Sequence, residues 1–215
     1  MVVNSSAPTR RKDRSTRRQE ILDAGCRIAL SEGLSGITAR RVASEAGIKS
    51  GLITYYFPSM DGLMGDAFSQ VTAMERRELE AHANQGRTAL ERMRRTMAVN
   101  LDPSRDSIAR LWLDAWRQAA DRPILREVVI REMELDVADM EELVRAGVEA
   151  NEFRIVDSPA KVAIRILALL DSQTVSSTVR TALSQSTLDY PVVSDMLVAH
   201  TERELGVAPG SLRLS

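Results

Sequence analysis

Cysteine and histidine are almost absent from this sequence. It has one cysteine, Cys26, and two histidines, His82 and His200. A single cysteine excludes an internal disulfide framework, and the three residues lack the spacing of a metal site. Cys26 lies among apolar residues at helical spacing, so we expect a small core residue and not a reactive thiol. We expect neither a metal nor a cofactor.

Long hydrophobic runs are also missing. Residues 1–13 contain no apolar stretch of the kind found in secretory signals, and the longest apolar run, residues 162–170, is interrupted by Arg165. That run is also too short to span a bilayer. We therefore expect a cytoplasmic protein with no membrane partner.

Aromatic residues are scarce, at 4% of the chain, whereas 44% of the residues are hydrophobic. The core must therefore consist mainly of Leu, Ile, Val, Ala and Met. The net charge of -1 hides an uneven distribution, because residues 1–59 carry ten Arg or Lys against five Asp or Glu. A basic N-terminal part indicates contact with a polyanion, and a solvated tail is the alternative.

The N-terminal third of the chain begins with a flexible basic arm, residues 1–14. An amphipathic helix follows and ends at Gly33. Thr38 is then placed to cap a short helix, and Gly47 is placed to end that helix in the left-handed conformation.

A second short helix is expected immediately afterwards. Ser50 is a candidate cap for a helix over residues 51–57, which Pro58 helps to terminate. Two short helices joined by a turn that contains glycine are typical of the helix-turn-helix, here residues 38–57. In that motif the second helix enters the major groove of DNA.

The rest of the chain shows helical periodicity and no strand-like alternation. A long helix begins near Asp61, and its continuation over residues 75–82 is expected to be exposed and to link the N-terminal head to a body. Proline marks the first turn of several later helices. The predicted body helices span residues 87–101, 104–120, 123–151, 158–185 and 190–205. The expected fold class is all-α.

Residues 17–68 resemble the N-terminal part of the TetR family. The matching landmarks are Ile21, Ala24, Gly33, Thr38, Val42, Ala43, Ala46, Gly47, Gly51, Tyr56, Phe57 and Leu63. The segments 51–63, 111–125 and 147–157 and the Leu169-Leu170-Asp171 run are similar to the BetI-like branch of that family.

The resemblance implies a particular division of the chain. Residues 15–75 would form a three-helix, helix-turn-helix DNA-binding head, and residues 76–205 would form a helical ligand-binding and dimerisation domain, followed by a C-terminal tail over 206–215. It also implies a symmetric dimer that releases its DNA operator when a small-molecule inducer binds.

Matching residues to the family motif gives a set of DNA contacts. The set is Arg17, Thr38, Arg40, Lys49, Ser50, Gly51, Thr54, Tyr55 and Tyr56. Thr38 is expected to present its hydroxyl or amide to phosphate, and Gly51 to let the backbone approach DNA closely. Ile53 and Phe57 should point into the core. Simple packing is the alternative for one of the two tyrosines.

One departure from the family pattern is Met60, where lysine is common. A phosphate contact is then missing at that position. The compensating charge is expected from the arm and the first helix, at Arg10, Arg11, Lys12, Arg14 and Arg17. The alternative for the arm is a disordered, solubilising tail. Arg41 is predicted either to contact phosphate or to lie on the solvated helix surface. Because one head reads few base pairs, we expect a dimer on a near-palindromic operator with half-sites roughly 34–36 Å apart.

The body is expected to hold the ligand. Trp112 and Trp116 lie one helical turn apart, and Asp171 lies on the apolar face of a later helix. The indoles would form cation–π walls for a choline-like cation and the carboxylate would balance its charge. Core tryptophans, and a salt bridge or dimer hydrogen bond for Asp171, are the alternatives. Phe153 and Tyr190 are weaker candidates, and an apolar or polyamine inducer stays open.

The last two predicted helices are candidates for the dimer interface. The helix over 158–185 is apolar almost all round, so it needs cover from its own core on one side and a partner subunit on the other. Paired with the helix over 190–205, it would form a four-helix interface, in which His200 is expected to be a satisfied interface histidine.

An enzyme is the competing functional class. The sequence has no Gly-rich phosphate loop, nucleophile elbow or metal quartet. Glu132, Glu134 and Asp136 are close in sequence, and an acidic helix surface explains them. We therefore expect a DNA-binding transcriptional regulator and not an enzyme. A repressor is the leading interpretation, and an activator or a regulator that responds to a partner protein is the alternative.

Overall fold

The computed structural model describes residues 13–183 and 191–213, and it describes side chains over 13–174 and 192–213. Arg10, Arg11, Lys12 and Tyr190, which the sequence analysis singled out, lie outside the described residues. Within the described part the chain is helical and has no strand. The all-α fold is confirmed.

The N-terminal part of the chain consists of three helices and the first half of a long fourth one. The helices are α1 (Arg14–Glu32), α2 (Ala39–Ala46), α3 (Ile53–Tyr56) and α4 (Met60–Ala83). Short 3-10 turns over Leu34–Gly36 and Ser50–Leu52 connect α1 to α2 and α2 to α3.

Five further helices complete the described chain. They are α5 (Ala89–Asn100), α6 (Asp106–Ala119), α7 (Pro123–Glu149), α8 (Pro159–Leu183) and α9 (Pro191–Leu205). Proline opens α7, α8 and α9, as expected, because its missing N–H has no partner to lose in the first helical turn.

The helix ends in the helix-turn-helix segment agree with those predicted from the sequence, except at Ser50. The Thr38 hydroxyl accepts the Arg41 N–H at 3.2 Å, and Gly47 ends α2 in the left-handed conformation with φ of 64°. The expectation that Ser50 caps the next helix is wrong. Ser50 is the first residue of a 3-10 turn, and the α-helical conformation begins only at Ile53 without a side-chain cap.

One apolar core joins the head to the body. Phe68 of α4 is fully buried, and so are Ile21 of α1 and Leu111 of α6 in the same cluster. Cys26 is buried there too, and burial raises the pKa of its thiol to about 12, which confirms a core role. Because α6 and α7 supply part of this cluster, the head packs directly on the body.

A second core lies between α5, α7, α8 and α9. Phe153 is buried in it and its ring packs against the backbone of α7 at Gly147, where a Cβ atom would lie 2.0 Å from a ring carbon. The weaker expectation that Phe153 forms a ligand cage is therefore wrong, because the ring fills a gap in the core and does not line the body cavity.

Two expectations about charged surfaces hold only in part. Residues 75–82 of α4 are expected to be exposed, and Arg77, Glu78, Glu80 and Ala81 are exposed. The side chains of Glu75 and Arg76, however, are largely buried, and they pair with Arg105 just before α6 and with α7. Glu132 was expected on an acidic surface, but it is 2% exposed and accepts hydrogen bonds from Ser69 and Thr72 of α4. Both differences arise because α4 and α7 pack along their polar faces as well as their apolar ones.

Candidate DNA-reading surface and ligand cavity

The α3 segment has one buried side and one exposed side. Ile53 and Phe57 are buried in the first core, as expected. Two buried anchors at i and i+4 lie on the same side of a helix and leave the intervening residues outside. The exposed residues of the predicted DNA-contacting set are Thr38, Arg40, Lys49, Ser50, Gly51, Thr54 and Tyr55.

The two tyrosines of α3 differ in burial. Tyr55 is 60% exposed, whereas Tyr56 is half-buried against the first core. Their rings meet edge to face at 5.0 Å, and the Arg14 guanidinium lies 5.3 Å from the centre of the Tyr55 ring. Tyr55 therefore projects from the surface beside the start of α1, while Tyr56 supports it from below.

The cations around this surface fall into two groups. Arg41 is held by Glu32 at 2.7 Å and by Glu45 at 3.0 Å, and Arg17 is paired with Glu20 at 2.7 Å. Arg40 and Lys49, by contrast, are exposed and have no ion-pair partner among the described residues. These two cations are available to an external anion without breaking an internal contact.

Thr38 offers one of its two expected donors. Its backbone N–H already donates to the carbonyl of Gly36 at 2.9 Å. Its hydroxyl oxygen accepts from Arg41, which leaves the hydroxyl hydrogen free to donate. The predicted phosphate contact of Thr38 is therefore reduced to its hydroxyl.

A cavity of about 380 Å³ lies in the body between α4, α5, α6, α7 and α8. Trp112 and Trp116 both line it from α6, with ring centres 5.6 Å apart and planes tilted by 41°. Trp112 also meets Phe68 of α4 edge to face at 4.8 Å. The Trp116 indole nitrogen is buried and has no hydrogen-bond partner among the described residues.

Asp171 of α8 lines the same cavity, so the structure brings the three predicted ligand-binding residues together. Asp171 is an exposed residue when all its atoms are counted. Its carboxyl group nevertheless lies partly buried at the cavity, and this burial raises its pKa to about 6. The Asp171 carboxylate has no hydrogen-bond or ion-pair partner among the residues whose side chains the structure describes. A carboxylate with this environment attracts a cation.

A network of charges that the sequence analysis missed forms another wall. Arg76 of α4 is paired with Glu132 and Asp136 of α7, and its Nε lies 3.8 Å from Asp139. Burial raises the pKa of Asp136 to about 7 although Arg76 opposes the shift. The spacing of Glu132, Asp136 and Asp139 on one helical face was a usable signal, but their partner lies about sixty residues earlier in the chain.

The α6 helix also contacts the head directly. The Asp114 carboxylate accepts the backbone N–H of Ser35, in the turn before α2, at 3.2 Å. Arg117 donates to the other carboxylate oxygen at 2.8 Å. The helix that carries both tryptophans is therefore joined to the turn before α2 by a hydrogen bond as well as by the apolar core.

Two family profiles match the chain. The profile described as bacterial regulatory proteins, tetR family, matches residues 21–67, and the profile described as BetI-type transcriptional repressor, C-terminal, matches residues 86–206. The second match covers more than half of the sequence. The chain belongs to the TetR family of transcriptional regulators, in its BetI-type branch. Membership in this family of regulators confirms the expectation that it is not an enzyme.

Curated relatives of this TetR-family chain are BetI regulators. The HTH-type transcriptional regulator BetI of Burkholderia thailandensis is 33% identical over 122 residues, which are 54% of this chain and 60% of the relative. That of Paraburkholderia phymatum is also 33% identical over 122 residues, with the same coverage. The similarity therefore spans less than two thirds of the length of these relatives.

Solved structures share the fold of this TetR-family chain. A TetR-family regulator from Rhodococcus has a TM-score of 0.71 at 19% identity, covering 89% of this chain and 99% of its own. A regulator from Saccharomonospora viridis, solved in complex with choline, has a TM-score of 0.69 at 20% identity and covers 85% and 94%. The multidrug binding protein EbrR, complexed with proflavin, has a TM-score of 0.58 at 25% identity and covers 84% and 97%.

Among residues 13–183 and 191–213, no helix is both long enough and apolar enough to cross a membrane. No group of three or more His, Cys, Asp or Glu side chains in the same part of the chain is arranged to hold a metal ion.

Proposed function

We propose that this TetR-family chain is a dimeric, cytoplasmic repressor that binds operator DNA through the surface around α2 and α3 and leaves it when an organic cation enters the body cavity. One observation carries the proposal. The single helix α4 packs in the head core through Leu63 and Phe68 and lines the cavity from Thr72 to Ala83. A change at the cavity wall therefore acts on the same rigid element that supports α3.

The DNA contacts that we propose follow from exposure and charge. Arg40 and Lys49 contact phosphates or base edges, because both are exposed and unpaired within the described chain. Tyr55 projects its ring and hydroxyl from α3, and the backbone at Gly51 has open space around it. Arg17 contributes less, since it is engaged with Glu20.

The inducer that we propose is a cation with an organic body. Trp112 and Trp116 supply aromatic faces, and Asp171 supplies an unpaired negative charge. The structural neighbours from Saccharomonospora viridis and the EbrR protein were solved with choline and with proflavin, which gives independent support for a cationic ligand in this fold. The volume of about 380 Å³ suits a small organic molecule.

The dimer that we propose is built from α8 and α9. Ile164 of α8 is 52% exposed, and Val192 and Met196 of α9 are about half exposed. Apolar side chains in neighbouring, paired helices are the usual material of a four-helix dimer interface. Two heads related by a twofold axis then read a near-palindromic operator with half-sites roughly 34–36 Å, or a multiple of that, apart.

The test is a DNA-binding measurement on the full chain. Duplexes enriched by unbiased selection should contain inverted repeats and bind the protein in fluorescence anisotropy. Addition of choline should lower the anisotropy, and the Asp171→Asn protein should bind the same duplex but need more choline for release. Failure to enrich any duplex contradicts DNA binding, and release by neutral ligands alone contradicts a cationic inducer.

A further inference from the structure

The charges that line the body cavity are not balanced. Eight of its lining residues are acidic and three are arginines. The excess of negative charge is uneven along the cavity wall, because two of the three arginines are already in ion pairs. Arg105 is paired with Glu75, and Arg76 is shared among carboxylates of α7. Among the acidic lining residues, Asp171 has no ion-pair partner in the described chain, and Asp136 and Asp139 share Arg76.

The first of two sites in the cavity is the indole site, defined here as Trp112, Trp116 and Asp171. It combines two aromatic faces on α6 with the carboxylate on α8. The carboxylate has no partner among the described residues, and the Trp116 indole nitrogen is buried without one. A quaternary ammonium group with its apolar methyl surface matches this site chemically.

The second is the acidic site, defined here as Asp136 and Asp139 of α7 with Arg76 of α4. The Arg76 guanidinium is also paired with Glu132, which has a second partner in Arg131 at 3.4 Å. Asp136 and Asp139 therefore share Arg76 as their printed ion-pair partner among the described residues. Burial raises the pKa of Asp136, and the negative charges of Glu75 and Asp139 add to this effect. Burial also raises the pKa of Asp139, with a smaller contribution from Glu80. A carboxylate has about four lone-pair positions, so Asp136 has acceptor capacity beyond Arg76.

The two sites open onto one cavity from different walls. The indole site is formed by α6 and α8, whereas the acidic site is formed by α4 and α7. Arg76 and Asp139 also line a second, polar groove on the outside of α4 and α7. The acidic site therefore lies at the wall next to that groove, and a monocation bound at the indole site leaves the acidic site unbalanced.

We infer that the cavity takes an elongated organic cation with two positive centres, one at the indole site and one at the acidic site. This inference rests on the proposed function and specifies the chemical class of its inducer. A dication satisfies both deficits at once, and the linker between its charges fills apolar space lined by Leu143, Leu167 and Leu170. The cavity volume of about 380 Å³ falls within the range of pockets for drug-sized ligands.

The test compares two ligands that differ in one charge. Hexamethonium has a trimethylammonium group at each end of a six-carbon chain, and hexyltrimethylammonium has the same chain with one. The chain has two tryptophans and both line the cavity, so tryptophan emission reports occupancy. At constant ionic strength, hexamethonium should bind at least about tenfold more tightly, because Coulomb attraction at the second site adds to the first.

Single substitutions assign the second charge to its site. Asp139→Asn removes charge from a side chain that is 61% exposed, so the fold is spared. This variant and Asp136→Asn should each weaken hexamethonium several-fold and leave hexyltrimethylammonium unchanged, whereas Asp171→Asn should weaken both. Glu141→Gln is the matched control, because it removes a charge from α7 outside the cavity and should change neither affinity.

Each outcome has a separate meaning. Equal affinity for the two ligands, or equal weakening of both by Asp136→Asn and Asp139→Asn, overturns the dication inference while cation sensing survives. Absence of binding by choline, hexamethonium and hexyltrimethylammonium overturns the inference together with the cationic inducer of the proposed function. Operator binding is measured in a separate experiment, so none of these ligand results decides whether the protein binds DNA.

Discussion

The carboxylate of Asp114 accepts the backbone N–H of Ser35 at 3.2 Å and so fastens the cavity helix α6 to the turn that precedes α2. Burial acts to raise the pKa of Asp114, but hydrogen bonds from Arg117 and Ser35 outweigh it and hold the pKa below its ordinary value. Since the folded pKa is depressed, this stabilisation is present above the unfolded value near 3.9 and is lost as the pH falls through the folded value. The contact is charged at neutral pH.

Replacing Asp114 should separate ligand binding from DNA release. Asp114→Ala removes the hydrogen bond that joins α6 to the head, so we expect choline to bind with nearly unchanged affinity in tryptophan emission. The choline concentration needed to release DNA should rise several-fold. The free energy of unfolding should fall by about 1.5–3 kcal/mol, as for other hydrogen bonds to charged groups.

Arg117→Ala is the control for that experiment. It removes the exposed ion-pair partner of Asp114 and keeps the contact with Ser35. Its release curve should match that of the unmodified protein. If Asp114→Ala and Arg117→Ala shift release equally, the hydrogen bond to Ser35 does not transmit the signal.

Choline binding should depend on pH through Asp171. Burial raises the pKa of this carboxyl to about 6, so it is mostly neutral at pH 5 and mostly charged at pH 7. The charge of choline does not titrate, and its affinity should therefore rise several-fold between pH 5 and pH 7 in emission titrations. Asp171→Asn should flatten this profile.

Asp136 titrates near the same range, with a pKa of about 7, and has to be separated from Asp171. Asp136→Asn should keep the rise between pH 5 and pH 7. The opposite result, in which choline affinity still rises with pH in Asp171→Asn but no longer does so in Asp136→Asn, would show that Asp136 causes the pH dependence and would contradict the role of Asp171. In both groups the folded pKa is raised, so each one's contribution to stability decreases as the pH rises toward the folded value.

The glycine of the DNA-reading surface should matter for binding and not for folding. A Cβ at Gly51 would meet no atom within 4 Å, and its φ is not in the left-handed region. Gly51→Ala should therefore leave the melting temperature unchanged or slightly higher. Operator affinity should fall by about tenfold or more in fluorescence anisotropy, because the methyl group occupies the approach to DNA.

Lys49→Ala should weaken DNA binding in a salt-dependent way. The logarithm of the DNA affinity falls as the logarithm of the salt concentration rises. Loss of one phosphate contact makes this negative slope shallower by about 1. Arg87→Ala removes the same charge from an exposed position in the body and should leave the slope as it is. Identical slopes for all three proteins would exclude Lys49 from phosphate contact.

The oligomeric state should depend on α8 and not on α7. Ile164 of α8 and Ile130 of α7 are 52% and 50% exposed, which makes them a matched pair. Ile164→Glu should place a charge in the proposed dimer interface and yield monomers in sedimentation velocity, with loss of operator affinity. Ile130→Glu should remain dimeric. Dissociation of both, or of neither, argues against an α8–α9 interface.

The helix-turn-helix was predictable because its signals are local. Thr38 and Gly47 fix the two ends of α2 through contacts within a few residues, and the buried pair Ile53 and Phe57 follows from helical spacing. The prediction for Ser50 was wrong, although it used the same logic. A serine can cap a helix only where the helix begins, and the 3-10 turn moved that point to Ile53.

The charged interior was not predictable because its partners are distant in sequence. Glu132 looks like a surface residue within its own helix, and only the packing of α4 on α7 shows that Ser69, Thr72 and Arg76 satisfy it. Asp171 could be singled out from the sequence because an acidic residue among apolar ones in a helix is unusual, and the structure places it in the cavity lining. Its role in ligand binding stays a prediction. Sequence patterns therefore predict which faces are buried and do not predict which buried charges meet.

The core shared by α1, α4, α6 and α7 makes the head a poor candidate for isolation. Phe68 and Leu63 pack in one cluster with Leu111 and Leu125, so a fragment ending at residue 75 would expose apolar surface that the body covers. Head and body should therefore melt as one cooperative unit. A ligand that binds in the cavity should then also raise the stability of α2 and α3, by mass action on a common unfolding equilibrium.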